Sequence, residues 1–131
     1  MTHLHHTGFT VSDLDRSVAF YRDLLGLSVV FEQEKVGGYL AAVTGYASAH
    51  VRMAQLELTP GGHRIELFEY LDRRGDGVVA EHGDVGGFHV CLVVEDLVAL
   101  HARLASHGVD LLSGPVPIGR ASCRERVYGL V

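Results

Sequence analysis

The chain has 131 residues, 47% of them hydrophobic, and a net charge of −5, which suits one compact domain with an apolar core. The acidic balance excludes a nucleic-acid binder that neutralises many phosphates, and neither a membrane-spanning run nor a signal-peptide pattern occurs. The two cysteines, Cys91 and Cys123, form neither a metal-type pair nor a disulfide scaffold, which favours a reducing, cytoplasmic location.

The first predicted element is a strand that begins with two adjacent histidines, in LHHTGFTVSDL (residues 4–14). Successive side chains of a strand point to opposite faces, so His5 and His6 should not serve the same site. Alternation puts His6 and Gly8 on a face with little side-chain bulk and turns Phe9 toward the opposite face. We expect that second face to pack under a helix.

A helix should follow this strand. Asp13 can accept hydrogen bonds from the first free backbone N–H groups and so act as the N-cap. Gly26 stands where a left-handed C-cap is favoured. Between them, apolar residues recur at helical spacing: Leu14, Val18, Tyr21 and Leu25.

Three further strands complete the first unit. They are predicted at LSVVFEQ (27–33), HVRMAQLEL (50–58) and HRIELFEYL (63–71), and the turn Pro60-Gly61-Gly62 separates the last two. Residues 3–71 therefore form a module of strand, helix and three strands. The polar, glycine-rich residues 72–86 are expected to be a linker.

The same order of residues returns 83 positions later, which indicates an internal repeat. The residues that correspond to His6, Asp13 and Leu14 are His89, Asp96 and Leu97. A second helix is predicted from Leu97, with Leu100 and Leu104 on its apolar face and Gly108 at its C-cap. The apolar run VDLLSGP (109–115) is predicted to begin a second strand, so we expect a second, incomplete module over residues 87–117.

Three ionisable side chains in apolar strands point to a metal site. His6, Glu66 and His89 are costly to bury without partners, and one divalent ion would satisfy all three if the strands converge. A lone strand histidine is more often a hydrogen-bonded core or edge residue, and Glu66 could face water. The repeat favours the ligand interpretation, because His6 and His89 occupy the same place in two units. The other histidines have no such relation and are expected at the surface or in caps.

The stretches HTGFTVSDLDRSVAFYRDLLGL, HRIELFEY and GFHVCLVVEDL resemble the vicinal oxygen chelate superfamily, which includes glyoxalase I, methylmalonyl-CoA epimerase, extradiol dioxygenases and bleomycin resistance proteins. The resemblance covers residues 3 to about 117 and implies an α+β fold of two βαβββ modules that form a cup around a metal. It places the ligands at His6, Glu66 and His89 and leaves His5 as a non-ligand that faces away. The implied cofactor is one divalent ion of Zn, Ni, Co, Mn or Fe.

The resemblance favours the glyoxalase I and epimerase branch, in which a proton moves on the carbon next to a metal-bound carbonyl. The alternatives are an extradiol dioxygenase-like protein and a metal-free, drug-binding resistance protein. Thr10 stands where glyoxalase I enzymes place an arginine for glutathione, which argues against glutathione as a substrate. The expected substrate is a small molecule with a carbonyl or vicinal oxygens. Arg52 is a candidate contact for it, and the alternative for Arg52 is a solvated surface arginine, which is the more common case.

The fourth ligand of the family, a glutamate that is also a candidate base, has no counterpart in the chain. Glu66 lies 60 residues after His6, so the equivalent of Glu66 should lie near position 149, beyond the last residue. Residues 118–131 show neither strand alternation nor an amphipathic helix, and a back-translation of IGRASCRERV resembles a sequencing-library adapter. We therefore expect a non-native tail, a sheet edge that favours a homodimer, and weak or absent activity in this fragment of an active parent.

Overall fold

The computed structural model describes residues 3–73, 75, 84–85 and 87–116, together with the backbone of residues 125–129. The chain divides into two compact units, Met1–Val78 and Val79–Val131. The division falls inside the predicted linker, most of which lies outside the described residues. Within the described part of the chain, no helix is long and apolar enough to cross a membrane.

The first unit has the predicted order of strand, helix and three strands. Its strands are β1 (His6–Thr10), β2 (Ser28–Val36), β3 (His50–Glu57) and β4 (Arg64–Tyr70). Helix α1 (Leu14–Ala19) continues into a π-helical turn at Phe20–Leu24. A short helix, α2 (Tyr39–Thr44), stands between β2 and β3, and the sequence does not predict it.

The four strands form one mixed sheet in the order β1-β4-β3-β2. β1 runs parallel to β4, and the other pairs are antiparallel. A parallel pair needs a long crossover connection, which α1, β2 and β3 provide here. β4 is therefore an interior strand, and its Glu66 has Gly8 as register partner on one side and Gln55 on the other.

The predicted N-cap of α1 is confirmed, and so is the left-handed conformation of Gly26, which lies after the π-helical turn. The Asp13 carboxylate accepts a hydrogen bond from the backbone N–H of Arg16 at 2.9 Å, and Gly26 has a φ of 80°. The prediction of an uninterrupted helix as far as Leu25 is wrong in its last turn. The N–H of Leu25 donates to the carbonyl of Phe20, five residues earlier, which is the wider turn of a π-helix.

Each face of the sheet carries its own cluster of buried residues, and alternation along the strands decides which residues each face receives. On the face that contacts α1, called here the α1 face, the buried apolar residues of the strands and of the helical segment pack together: Phe9, Leu14, Val18, Tyr21, Ala54, Leu56, Ile65 and Leu67. On the opposite face, called the α2 face, a second cluster surrounds Leu40 of α2: Ala49, Val51, Met53, Phe68 and Tyr70. His6 belongs to the α2 face, as the prediction that Phe9 turns away from it requires.

The second unit contains strand β5 (Val90–Val94), helix α3 (Leu97–Ser106) and strand β6 (Glu125–Gly129), and β5 and β6 pair antiparallel. The predicted apolar positions Leu100 and Leu104 are buried, and Gly108 has a φ of 73° at the end of α3.

One expectation for the second unit is wrong, and one strand lies where the sequence does not predict it. The apolar run at 109–115 forms no strand, because Ser113, Gly114 and Pro115 interrupt it and Leu112 is 92% exposed. Conversely, β6 lies within residues 118–131, where the sequence shows no strand alternation. Its backbone pairs with β5, and this pairing does not depend on alternating side chains.

Replacing Tyr21 with phenylalanine should remove a loss of stability at high pH. Tyr21 is 3% exposed, and this burial raises its pKa from 10.0 to about 12. Because the pKa of Tyr21 is higher in the folded state than in the unfolded state, the neutral, buried side chain contributes to the free energy of unfolding. This contribution is complete below the unfolded pKa and is lost as the pH rises through the folded pKa. Urea unfolding should show that the wild type loses about 1 kcal/mol more than Tyr21→Phe between about pH 8 and about pH 11. Tyr39→Phe, at an exposed tyrosine, is the control, and equal losses in Tyr21→Phe and the wild type would contradict the prediction.

Candidate functional site

The parallel pairing of β1 with β4 brings His6 and Glu66 together on the α2 face. His6 Nε2 lies 3.2 Å from Glu66 Oε2. Glu66 is only 7% exposed, whereas the side chain of His6 is 40% exposed. A buried carboxylate costs free energy unless it is hydrogen-bonded or paired. His6 is therefore one of the partners that allow Glu66 to occupy an interior strand.

The other oxygen of Glu66 is occupied from β3. Gln55 Nε2 donates a hydrogen bond to Glu66 Oε1 at 2.6 Å, and Arg64 Nη1 donates to Gln55 Oε1 at 3.0 Å. Arg64 Nε lies 3.4 Å from Glu57 Oε2. These four residues, Glu57, Arg64, Gln55 and Glu66, form a continuous polar row across β3 and β4. The row leaves Glu66 Oε2 directed toward His6.

Gly8 keeps the space beside Glu66 open. Gly8 is the register partner of Glu66 on β1, and a Cβ atom there would lie 4.0 Å from Glu66 Oε2. A methyl group would fit at ordinary contact distance, but a longer side chain would crowd the carboxylate. This confirms the prediction that little side-chain bulk lies beside His6 on this face.

The expectation that His5 faces away from His6 is wrong. The Nδ1 atoms of the two rings lie 2.8 Å apart, so one ring nitrogen donates to the other. The reason is that β1 begins at His6. His5 precedes the strand, and its side chain does not follow the alternation that the sequence argument assumed.

The third predicted ligand, His89, lies in the second unit directly before β5 and is exposed. Cys91 follows on β5 and is a free, exposed thiol rather than a packed apolar residue. Within the residues that the structure describes, neither unit contains by itself a group of three or more His, Cys, Asp or Glu side chains arranged to hold a metal. The three-ligand set of His6, Glu66 and His89 therefore stays a prediction.

Arg52, the predicted substrate contact, lies on the α1 face, opposite to the His6–Glu66 pair. Its guanidinium donates to Asp15 of α1 at 2.6 and 3.1 Å and to the buried Glu69 at 3.5 Å. The hydrogen bond between Arg52 and Asp15 lowers the pKa of Asp15 and raises the pKa of Arg52. Glu69 also accepts from the backbone N–H of Leu14, the first residue of α1. Arg52 thus links the helix to the sheet, and its contact with substrate stays a prediction.

The polar row was not found from the sequence. Its signal is present nonetheless, because Gln55 and Glu57 alternate with apolar residues on β3, and Arg64 and Glu66 do so on β4. Polar residues at every second position of two buried strands must face the same way. The missing step was the antiparallel register, which sets Gln55 opposite Glu66 and Glu57 opposite Arg64.

Comparison with known proteins gives a consistent set of similarities. A family model described as "Glyoxalase/Bleomycin resistance protein/Dioxygenase superfamily" matches residues 3–124. A 2-epi-5-epi-valiolone epimerase of Actinomyces sp is 32% identical over 119 residues, which are 88% of this chain and 64% of that protein. The lactoylglutathione lyase of Haemophilus influenzae is 31% identical over 117 residues, 87% of this chain and 76% of that protein. Among solved structures, a glyoxalase family protein from Bacillus cereus has a TM-score of 0.81 at 27% identity, covering 89% of this chain and 79% of its own.

Replacing Arg52 with methionine should destabilise the first unit. The change leaves the buried Glu69 carboxylate without its guanidinium partner, which should cost about 1–3 kcal/mol in the free energy of unfolding. Asp15→Asn is the matched control: the Asp15 side chain is 78% exposed, so its loss should have little effect. Chemical denaturation measures both. An Arg52→Met variant as stable as the wild type would show that Glu69 needs no cationic partner.

Proposed function

This chain belongs to the Glyoxalase/Bleomycin resistance protein/Dioxygenase superfamily, and we propose that it is a metal-dependent enzyme of the glyoxalase I and epimerase branch. The proposed reaction is proton transfer on the carbon next to a carbonyl group of a small molecule. The names of the two relatives, an epimerase and a lyase, support this branch over the ring-cleaving dioxygenases. The chain spans 64% of the length of the epimerase, so the activity is a proposal for this chain.

The observation that carries the proposal is the His6–Glu66 pair, in which each side chain also has a second hydrogen-bond partner. Imidazole nitrogen and carboxylate oxygen are donors that suit Zn, Ni, Co, Mn or Fe. Metal-bound histidines almost always donate their second ring N–H to an outer partner, and metal-bound carboxylates are themselves hydrogen-bonded. His5 at His6 Nδ1 and Gln55 at Glu66 Oε1 are such partners. The residues present thus fit a divalent ion.

His6 would hold the ion through Nε2 and Glu66 through Oε2, with His89 as the third ligand. A bound divalent ion would stabilise the negative charge that develops on the carbonyl oxygen of the substrate as the proton leaves. Gly8 leaves room beside the ligands. Glu66 serves as a ligand in this proposal and not as the base that moves the proton.

Beyond Glu66, the α2 face becomes apolar along β4. Phe68 and Tyr70 follow it on β4 and pack against Leu40 of α2. A substrate held beside His6 would therefore meet an apolar wall on this side. On β1, Thr10 is exposed and offers no cation for a carboxylate, which continues to argue against glutathione. The homodimer and the cytoplasmic location stay predictions.

Metal titration tests the proposed ligands. Isothermal titration with Zn²⁺ or Ni²⁺ should give one ion per chain for the wild type. His6→Ala, Glu66→Gln and His89→Ala should each bind more than about 10-fold more weakly, because the first and third remove an imidazole nitrogen and the second removes the charge of the carboxylate. Cys91→Ser is the control and should bind as the wild type does, since no thiolate belongs to the set.

The outcomes separate the alternatives. Normal binding by His89→Ala would remove His89 from the set but leave the pair. Absence of metal binding by the wild type would contradict the proposal and favour a metal-free binding protein. Turnover can be followed as the incorporation of solvent deuterium at the carbon next to the carbonyl of small hydroxyketones, and it should require the metal.

A further inference from the structure

We propose that Gln55, itself held by Arg64, is a positioning residue that makes Glu66 a one-oxygen metal ligand. This inference rests on the proposed function and concerns how the ligand is prepared. Gln55 does not touch the ion in this proposal. It occupies Glu66 Oε1 and leaves Oε2 for the metal.

The direction of the polar row fixes the orientation of the Gln55 amide. An arginine can only donate hydrogen bonds, so the atom that faces Arg64 Nη1 at 3.0 Å must be the amide oxygen of Gln55. The amide nitrogen then faces Glu66 Oε1 at 2.6 Å and donates to it. Arg64 is oriented in turn by Glu57, 3.4 Å away. Each member of the row therefore has one orientation, and none of them can turn over without losing a hydrogen bond.

The sheet register makes this arrangement rigid. Gln55 is the direct partner of Glu66 on β3, and Glu57 is the direct partner of Arg64. Directly opposed residues on neighbouring strands have their Cβ atoms about 5 Å apart, so the amide reaches the carboxylate without an extended, mobile side chain. On the other side of Glu66, Gly8 contributes no side chain. The carboxylate is thus fixed from β3 and open toward β1, where His6 lies.

The expected consequence concerns metal affinity. Without the donor at position 55, Glu66 Oε1 would be left buried without its partner, and the carboxylate could rotate or bind through both oxygens. Outer partners of metal ligands typically contribute about 10- to 100-fold in affinity. Gln55 should therefore set both the strength of binding and the number of carboxylate oxygens used.

The test compares two substitutions that remove the donor with a matched control. Gln55→Leu keeps the approximate volume, and Gln55→Glu keeps the shape but replaces the donor with an acceptor. Gln33→Leu is the control. Gln33 lies on β2 and, like Gln55, on the α2 face of the sheet, but its amide contacts Met53 and Tyr39. Zn²⁺ affinity should fall about 10- to 100-fold in both Gln55 variants and stay within about threefold of the wild type in Gln33→Leu. The absorption spectrum of the Co²⁺ form should change in the Gln55 variants only.

The results distinguish a failure of this inference from a failure of the proposed function. Wild-type affinity and an unchanged Co²⁺ spectrum in Gln55→Leu, together with loss of binding in Glu66→Gln, would overturn the positioning role alone. A wild type that binds no Zn²⁺ would overturn both. If Gln55→Leu does not fold, Arg64→Met replaces it: Gln55 stays, but its orientation is no longer fixed. A weaker Zn²⁺ affinity in Arg64→Met supports the row, and an unchanged affinity overturns it.

Discussion

The parallel pairing of β1 with β4 is the constraint on which the first unit depends. It pairs residues nearly 60 positions apart in the sequence, adds β1 to the edge of the sheet, and so makes β4 an interior strand. The register of this pair is fixed on the other face of the sheet, because Phe9 is 4% exposed in the core beneath α1. A slip of one residue would bring Phe9 to the α2 face and turn His6 into the apolar core. The packing of Phe9 therefore aims the imidazole of His6 at Glu66.

Burial of three glutamates on β3 and β4 is the second constraint, and the sheet meets it differently on its two faces. Glu69 lies on the α1 face, where Arg52 and the first N–H of α1 satisfy it, so its charge is used to attach the helix. Glu57 and Glu66 lie on the α2 face and share the donors of Arg64 and Gln55. Of the three, Glu66 has one oxygen, Oε2, that faces an exposed imidazole, that of His6. This difference, rather than burial as such, separates a structural carboxylate from a candidate ligand.

The features that could be predicted from the sequence are those that depend on a residue and its neighbours along the chain. The cap at Asp13, the left-handed Gly26 and the turn of Phe9 away from His6 all follow from a single residue and its neighbours. Features that depend on distant pairing were missed. His5 was misplaced because the start of β1 is set by its pairing with Arg64, and the role of Gln55 requires the β3–β4 register. Helix α2 was missed because six residues between glycines carry too short a periodic signal.

The second unit repeats the local signals without repeating the pairing. Asp96 accepts from the N–H of Ala99 at 2.8 Å and so caps α3 as Asp13 caps α1. The same spacing thus builds the same strand-to-helix connection, although His89 lies directly before β5 whereas His6 is the first residue of β1. In the described part of the chain, however, β5 pairs with β6 in an antiparallel manner, whereas β1 has a parallel neighbour that carries Glu66. Among its described residues, the second unit therefore has the same strand-to-helix connection as the first unit, but no parallel strand that corresponds to β4.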